Sequence, residues 1–409
     1  MSETKKTLAV ILAGGRGTRM DMLCHRLAKP LLPFAGRFRI IDFTLSNCVN
    51  SGIRSIAVMV DYERETIADY LGDGLPWMPK QQGSFQILGP RVNSYRGTAD
   101  AVYQNLDLLS KQPFDYMLVL AADHVYQMDY RKMLDFHQKE EADVTVGVIS
   151  VPIEEASRFG TVMVGSEGRI VDFVEKPEIP LSSLVSMGIY VFSKQALLRS
   201  LEEDASDVSS PHDFGHAIMP RMVKRNNVFA YKYFDYWQDI GTVEAYYSAN
   251  IELTREFPAI SMNNKWPVTT RDAAPLPARI SRPDLVKNSI VSPGCVVKGR
   301  VENSVLSPGV KVEENAVVLN SVIMGNATIG EHSVVDRSIL DEGVTIGRFC
   351  YIGFGNRLMP GDWDVTVLGK RVVVPPHTAI GRKCKLLPGA GPADFTTNVL
   401  PSGTVLARC

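Results

Sequence analysis

The feature that most constrains the fold of this 409-residue chain is a repeat in its C-terminal part. Four segments share one phase: NSIVSPGCVV (288–297), NSVLSPGVKV (303–312), NSVIMGNATI (320–329) and RSILDEGVTI (337–346). Their serines stand at positions 289, 304, 321 and 338, spaced 15, 17 and 17 residues apart. β-Branched residues recur at fixed offsets from them: Ile290, Val305, Val322 and Ile339, then Val297, Val312, Ile329 and Ile346. This period predicts a β-solenoid with three short strands per coil, and the constant phase favours it over the alternative, a β-sandwich.

The chain before about residue 255 has a different pattern, in which short apolar runs alternate with amphipathic segments. Strands are predicted over 8–12, 54–60, 116–121, 143–150, 169–174 and 187–192, and helices near 42–51, 63–71, 98–110, 129–140 and 194–203. Such alternation indicates a Rossmann-like α/β domain with a mostly parallel sheet, whose ligands bind beyond the carboxyl ends of the strands. We expect three parts: an α/β domain over 1–255, an extended proline-rich linker over 256–287, and the solenoid over 288–409.

Composition excludes several classes of function. The chain carries 44 basic and 45 acidic residues, so no broad basic field supports nucleic-acid binding. Its six cysteines are scattered without a C-x-x-C pair, which favours reduced thiols in a cytoplasmic protein over a disulfide framework or a zinc site. No apolar segment is long enough to span a bilayer, so no membrane association is expected.

A glycine-rich turn follows the first apolar run, Leu8 to Leu12. It reads Ala13-Gly14-Gly15-Arg16-Gly17-Thr18-Arg19, with Lys29-Pro30 ten residues further on, and it matches neither the P-loop nor the dinucleotide-binding pattern. Backbone N–H groups in a glycine turn can bind phosphate oxygens, and Arg19 and Lys29 could neutralise a leaving pyrophosphate. The alternative is an ordinary turn with solvated arginines.

Three further segments carry candidate functional residues. The turn Tyr95-Arg96-Gly97-Thr98 could bring backbone close to a base, and Thr98 is a suitable N-cap for the next helix. Asp123 follows a predicted strand, and Asp239 lies in YWQDIGT, so the two carboxylates could hold Mg²⁺ for phosphoryl or nucleotidyl transfer. In Glu175-Lys176-Pro177 the lysine could bind a phosphate as a point charge. Plain alternatives remain open: a helix start, a turn-capping Asp and a solvated Lys.

Nucleophilic and zinc chemistry find little support. No G-x-S-x-G elbow occurs, and the spacing of His124, His212 and His216 fits no zinc motif. These histidines are interpreted as structural or peripheral.

The motifs occur in one order along the whole chain: GGRGTR, AKP, FRIIDFTLSNCVNSGI (38–53), YRGTADAVYQN (95–105), DHVYQMDY (123–130), ASRFGTV (156–162), EKP, SMGIYVF (186–192), HDFG (212–215) and DIGTVEAYYSANIEL (239–253). In this order they resemble the bacterial glucose-1-phosphate adenylyltransferases, also called ADP-glucose pyrophosphorylases. The resemblance implies a nucleotidyltransferase domain followed by a left-handed β-helix. It also implies that ATP and glucose 1-phosphate give ADP-glucose and pyrophosphate with Mg²⁺, for glycogen or storage-glucan synthesis. A cytoplasmic homotetramer regulated by an anionic metabolite is expected.

The same resemblance implies roles for individual residues. The catalytic group would be Arg19, Lys29, Asp123, Lys176 and Asp239, with Asp123 and Asp239 on the metal. Nucleotide binding would involve Gly14, Gly15, Arg16, Thr18, Arg19, Tyr95 and Gly97. The site for the sugar phosphate and ADP-glucose would contain Tyr95, Gly160, Glu175, Lys176, Ser186, Tyr190, Asp213, Phe214 and Trp237. Arg26 and Arg39 are the candidate effector cations.

The chain departs from the family pattern in three places. Ala122 stands where a glycine is usual, Gln238 where an arginine is usual, and the 86–94 loop lacks the usual proline- and glutamine-rich character. Three alternatives therefore stay open: a weakly catalytic regulatory subunit, a pyrophosphorylase for UTP, dTTP or GTP, and an acyltransferase activity of the β-helix. The last is disfavoured, because His332 and His377 are the only histidines there and the repeat is short.

Overall fold

The computed structural model describes residues 6–407 apart from 16, 79–82, 263–265, 272–275 and 356–362. Arg16, predicted to bind nucleotide, therefore lies outside the described residues. Two compact units emerge: the first contains Met1–Arg16, Ile41–Trp237 and Lys265–Thr269, and the second contains Gly17–Ile40, Gln238–Asn264 and Thr270–Cys409. Among the described residues, no helix is long and apolar enough to cross a membrane.

The first unit is built on a nine-stranded mixed sheet. Its strands are Thr7–Leu12, Ser55–Met59, Ser84–Leu88, Tyr116–Ala121, Val144–Ser150, Gly160–Val164, Ile170–Glu175, Leu184–Ser193 and Val228–Lys232. Thr7–Leu12 pairs in parallel with Ser55–Met59 and Tyr116–Ala121. Leu184–Ser193, however, runs antiparallel to Tyr116–Ala121 and to Val144–Ser150. The α/β class is confirmed, but the sheet is mixed, because Leu184–Ser193 lies in its interior and runs antiparallel to the strands beside it.

Helices cover this sheet and largely follow the predicted ranges. They are Ile40–Asn50, Arg64–Leu71, Thr98–Tyr103, Leu106–Leu109, Tyr130–Lys139, Ile153–Ala156, Lys194–Ser206 and Met219–Arg225, with a π-helical turn over Phe214–Ile218. The predicted helix 98–110 is broken in two. Asn105 lies at the break, and its side-chain amide donates to the carbonyl of Ala101, which competes with helical backbone bonding.

The second unit contains the solenoid as three parallel sheets, the arrangement of a left-handed β-helix. The first sheet contains Arg279–Ile280, Val296–Val297, Lys311–Val312, Thr328–Ile329, Thr345–Ile346 and Val373–Val374. The second contains Val286–Lys287, Arg300–Glu302, Val317–Leu319, Val334–Asp336, Tyr351–Phe354, Ala379–Gly381 and Val399–Leu400. The third contains Ile290–Val291, Val305–Leu306, Val322–Ile323, Ser338–Leu340, Thr366–Leu368, Lys385–Leu386 and Val405–Leu406. The same unit contains the helix Val243–Glu252 and the short strands Pro33–Phe34 and Phe38–Arg39.

The repeat predicted from the sequence is the register of this solenoid. Ile290, Val305, Val322 and Ile339 are successive partners in the third sheet. The phased serines form a ladder in which the amides of Ser304, Ser321 and Ser338 each donate to the hydroxyl of the serine one coil earlier, at 3.1 Å. Strand pairing begins at Arg279, inside the segment predicted as a linker. The three domain boundaries remain a prediction.

A buried histidine in the first unit makes stability depend on pH. His137 is 1 % exposed, and its Nδ1 and Nε2 lie 2.8 Å and 3.0 Å from the hydroxyls of Thr145 and Ser193. Burial lowers the pKa of His137 from 6.5 to about 4. The unfolded chain therefore binds a proton below pH 6.5 that the folded chain takes up only near pH 4, so the free energy of unfolding falls as pH drops through this window.

We expect His137→Gln to remove this dependence. Between pH 7 and pH 5 the wild type should lose about 2 kcal/mol more stability than the variant, measured by urea unfolding. Equal losses in the two proteins would contradict the assignment.

Candidate active site

The glycine-rich turn is divided between the two units, and each part has its own geometry. In the first unit, the Ala13 amide donates to the Met59 carbonyl at 2.8 Å, and Gly14 and Gly15 follow directly beyond the strand. In the second unit, Gly17 has φ +64°, and a Cβ there would lie 3.0 Å from Cys24 Sγ and 3.1 Å from Lys29 Cβ. The left-handed φ and the close neighbours favour glycine at this position.

The second unit holds a buried ion pair between two of the predicted catalytic residues. Lys29 Nζ lies 3.4 Å from Asp239 Oδ1, and the two side chains are 7 % and 9 % exposed. Gly241 faces the same carboxylate, since a Cβ there would lie 2.6 Å from Asp239 Oδ2. Gln238, the departure from the family pattern, donates from Nε2 to the carbonyl of Asp239 at 3.1 Å. The structure thus brings together residues 210 positions apart in sequence.

The other predicted binding residues of the second unit do not belong to this ion pair. Thr18 and Arg19 are exposed in the short 3₁₀ helix Thr18–Cys24. Arg26 is exposed with φ +56°, whereas Arg39 donates from Nη1 to the carbonyl of Leu31 at 3.1 Å.

In the first unit, Asp123 follows the strand Tyr116–Ala121, as predicted. Its Oδ1 lies 3.5 Å from His124 Nε2, and the His124 ring meets the Trp237 ring edge-on with centroids 5.1 Å apart. Asp123 and His124 supply a carboxylate and an imidazole, both donors that a divalent metal ion takes. In the second unit, Asp239 offers a further carboxylate.

The predicted sugar-site residues form a connected set in the first unit. Trp237 packs against Phe159 with ring centroids 5.3 Å apart, and the Phe159 carbonyl accepts from the Lys176 amide at 3.0 Å. Lys176 has φ +46°, and its 53 % exposed side chain lies 3.1 Å from the Glu175 carboxylate. Lys176 is therefore available to an anionic ligand at this edge of the sheet.

The Glu175 carboxylate belongs to the same set and packs against two glycines. Its Oε2 would lie 2.7 Å from a Cβ at Gly160 and 2.5 Å from one at Gly215, so the carboxylate packs closely against both glycines. Next to Gly215, the Phe214 ring stacks on Tyr190 with centroids 6.2 Å apart, and Ser186 Oγ donates to the Tyr190 hydroxyl at 3.0 Å. Burial raises the pKa of Tyr190.

The turn around Tyr95, which is predicted to bind nucleotide, lies in the same unit. The Tyr95 hydroxyl donates to the Leu88 carbonyl at 3.2 Å and accepts from Asn105 Nδ2 at 3.0 Å, and burial raises the pKa of Tyr95 to about 12. Gly97 packs so closely that a Cβ would lie 2.4 Å from the carbonyl oxygen of His212.

One residue near this turn was not identified correctly from the sequence. Thr98 was expected to be an N-cap, but it is the first residue of the helix, and its hydroxyl bonds to Asp213. No local pattern could have revealed this contact, because Asp213 is more than a hundred positions away in sequence. His212, interpreted as structural or peripheral, is buried with Nδ1 2.9 Å from Asp204 Oδ2, which agrees with a structural role.

Comparison with known proteins agrees with this architecture. The nucleotidyl transferase family profile matches residues 8–256, and the GlmU-like C-terminal hexapeptide profile matches residues 277–366. Among curated proteins, one from Thermotoga maritima is 44 % identical over an alignment that covers 97 % of each chain. One from Pseudothermotoga lettingae is 44 % identical over 98 % of each chain, and one from Acetivibrio thermocellus is 39 % identical over 98 % of each. All three are named glucose-1-phosphate adenylyltransferase.

Proposed function

The chain belongs to the glucose-1-phosphate adenylyltransferase family, and we infer from this that it transfers the adenylyl group of ATP to α-D-glucose 1-phosphate, giving ADP-glucose and pyrophosphate. The observation that carries this function is the 44 % identity over 97 % of each chain. An alignment of that extent includes both compact units and every predicted site residue.

The reaction needs alignment and charge stabilisation more than an activated nucleophile. A phosphate oxygen of glucose 1-phosphate is already anionic, so it can attack the α-phosphorus of ATP without a general base. The new P–O bond forms as the bond to pyrophosphate breaks, and no proton has to be removed. Positioning and fixed cations therefore supply the catalysis.

We assign the basic residues of the site to the phosphate groups of the two substrates. Lys176, exposed beside Glu175, would bind the phosphate of the sugar. Lys29 and Arg19, with the backbone at Gly14 and Gly15, would hold the phosphates of ATP. The buried Lys29–Asp239 pair supports this, because the carboxylate holds the ammonium group in a fixed position.

We propose Mg²⁺ as the divalent ion, with Asp123 and Asp239 as its ligands. Carboxylate oxygens are the donors that Mg²⁺ prefers. In the first unit, His124 beside Asp123 contacts the Trp237 ring, with the centroids 5.1 Å apart. When bound, the ion would offset negative charge on the α-phosphate and the leaving pyrophosphate.

From the family resemblance we also propose a cytoplasmic homotetramer in glycogen or storage-glucan synthesis. An anionic metabolite effector would bind near Arg26 and Arg39. These exposed and half-buried cations lie together in the Gly17–Ile40 segment of the second unit.

We expect pyrophosphate release from glucose 1-phosphate and ATP with Mg²⁺, at least about tenfold faster than with UTP, dTTP or GTP. Chelation of the metal by EDTA should stop the reaction, because the phosphate charges then lack a counter-ion. A coupled assay for pyrophosphate measures both effects. Binding of ADP-glucose without turnover would instead favour the regulatory-subunit alternative, and turnover with UTP alone would contradict the adenine specificity.

A further inference from the structure

At the start of the helix Thr98–Tyr103, hydrogen bonds join the helix to residues 212–214, a distant segment of the first unit. The Thr98 hydroxyl donates to Asp213 Oδ2 at 2.8 Å and accepts from the Phe214 amide at 3.0 Å. The amides of Ala99 and Asp100 donate to the His212 carbonyl at 2.9 Å and 3.2 Å. The first turn of this helix is therefore capped by a segment more than a hundred residues further along the chain.

The capping segment is itself held rigidly. His212 is 4 % exposed and has φ +52°, a conformation that surrounding contacts must maintain. Its Nδ1 lies 2.9 Å from Oδ2 of Asp204, which is 2 % exposed. Asp204 Oδ1 also accepts from Ser210 Oγ at 2.5 Å and from the Arg221 guanidinium. This buried network fixes the backbone of residues 210–213 on the helix Lys194–Ser206.

Each of these two hydrogen-bonded segments is next in sequence to residues of the proposed active site. Tyr95 and Gly97 precede Thr98 on the nucleotide side. Asp213 and Phe214 belong to the sugar side, where Phe214 stacks on Tyr190. The Thr98 hydroxyl is bonded to both Asp213 and Phe214, so the two sides cannot shift relative to each other without breaking its hydrogen bonds.

We propose that Thr98 is a positioning residue, whose hydroxyl sets the sugar-binding Asp213–Phe214 segment relative to the nucleotide-binding turn. This rests on the proposed function, and Thr98 acts through its hydrogen bonds to Asp213 and Phe214. In this proposal, the binding of glucose 1-phosphate depends on the Thr98 hydroxyl. A threonine that only capped its own helix would not affect that binding.

The test compares Thr98→Val, which keeps the side-chain shape but loses the donor and acceptor, with Thr98→Ser, which keeps both. At saturating ATP, the KM for glucose 1-phosphate should rise at least about tenfold in Thr98→Val, since small displacements in a site are costly. In Thr98→Ser it should stay within about twofold of the wild type.

An unchanged KM in Thr98→Val would overturn the proposal, even if kcat falls, because a merely structural role lowers only the fraction of folded enzyme. If Thr98→Val does not fold, Thr98→Ala is measured in the same way with the same two outcomes. A wild type that makes no ADP-glucose would overturn the proposed function alone. The affinities of wild type and Thr98→Val for ADP-glucose would then decide the role of Thr98 by the same tenfold criterion.

Discussion

Asp123→Asn is expected to lower kcat for ADP-glucose synthesis by about a thousandfold. The substitution preserves the size of the side chain but removes the negative charge, so the proposed Mg²⁺ site loses an anionic ligand. The loss of transition-state stabilisation should exceed that of a single hydrogen-bond donor. Steady-state pyrophosphate release at saturating ATP and glucose 1-phosphate measures the effect.

A matched control separates this effect from the general loss of a negative charge. Asp135→Asn makes the same chemical change at an exposed position of the helix Tyr130–Lys139. It should leave kcat within about twofold of the wild type, since exposed charges contribute little. If Asp123→Asn retained more than a tenth of the wild-type rate, Asp123 could not be a ligand of an essential metal.

The second large effect is on stability. Gly353→Ala is expected to destabilise the second unit by at least about 3 kcal/mol. Gly353 has φ +80°, and a Cβ there would lie 2.0 Å from the backbone oxygen of Asp336 on the neighbouring coil. Left-handed strain and the clash add together, because the backbone of a packed solenoid cannot move aside.

Gly343→Ala separates these two causes. Gly343 has φ +72°, but the nearest atom to its added Cβ would be Arg371 Cγ at 3.4 Å, an ordinary contact. This variant should cost only the left-handed strain, roughly 1–2 kcal/mol. Thermal unfolding of both variants and the wild type provides the comparison. Equal destabilisation by the two substitutions would show that the clash at Gly353 is relieved.

Much of the fold could be predicted because it depends on local periodicity. The strand Thr7–Leu12 is a short apolar run, and the observed strand Tyr116–Ala121 has the predicted bounds. The solenoid coils follow the 17-residue phase of the serines, since a ladder hydrogen bond repeats once per coil. The strand Ser84–Leu88 was not predicted, because a half-buried edge strand has too few apolar residues to give a signal.

The candidate site was predicted less completely, because local periodicity does not determine contacts between distant segments. Glu175 is the last residue of a strand, and Lys176 and Asp123 stand just after strands, so their positions at the sheet edge follow from the chain itself. The contact of Glu175 with Gly160 and Gly215, and the bonds from Thr98 to Asp213, depend on how distant segments pack. Sequence patterns within a window of a few residues carry no information about such pairs.

The sequence by itself determined the α/β class, the β-solenoid with its register, and the motifs that identify the family. These depend on hydrophobic period and turn residues, which act over a few neighbouring positions. Only the tertiary structure decided that Leu184–Ser193 runs antiparallel in the sheet, that His212 caps the helix at Thr98, and that Lys29 pairs with Asp239. Each of these contacts joins residues that are far apart in the chain. Their free energy depends on burial and hydrogen bonding in the whole fold and not on local propensity.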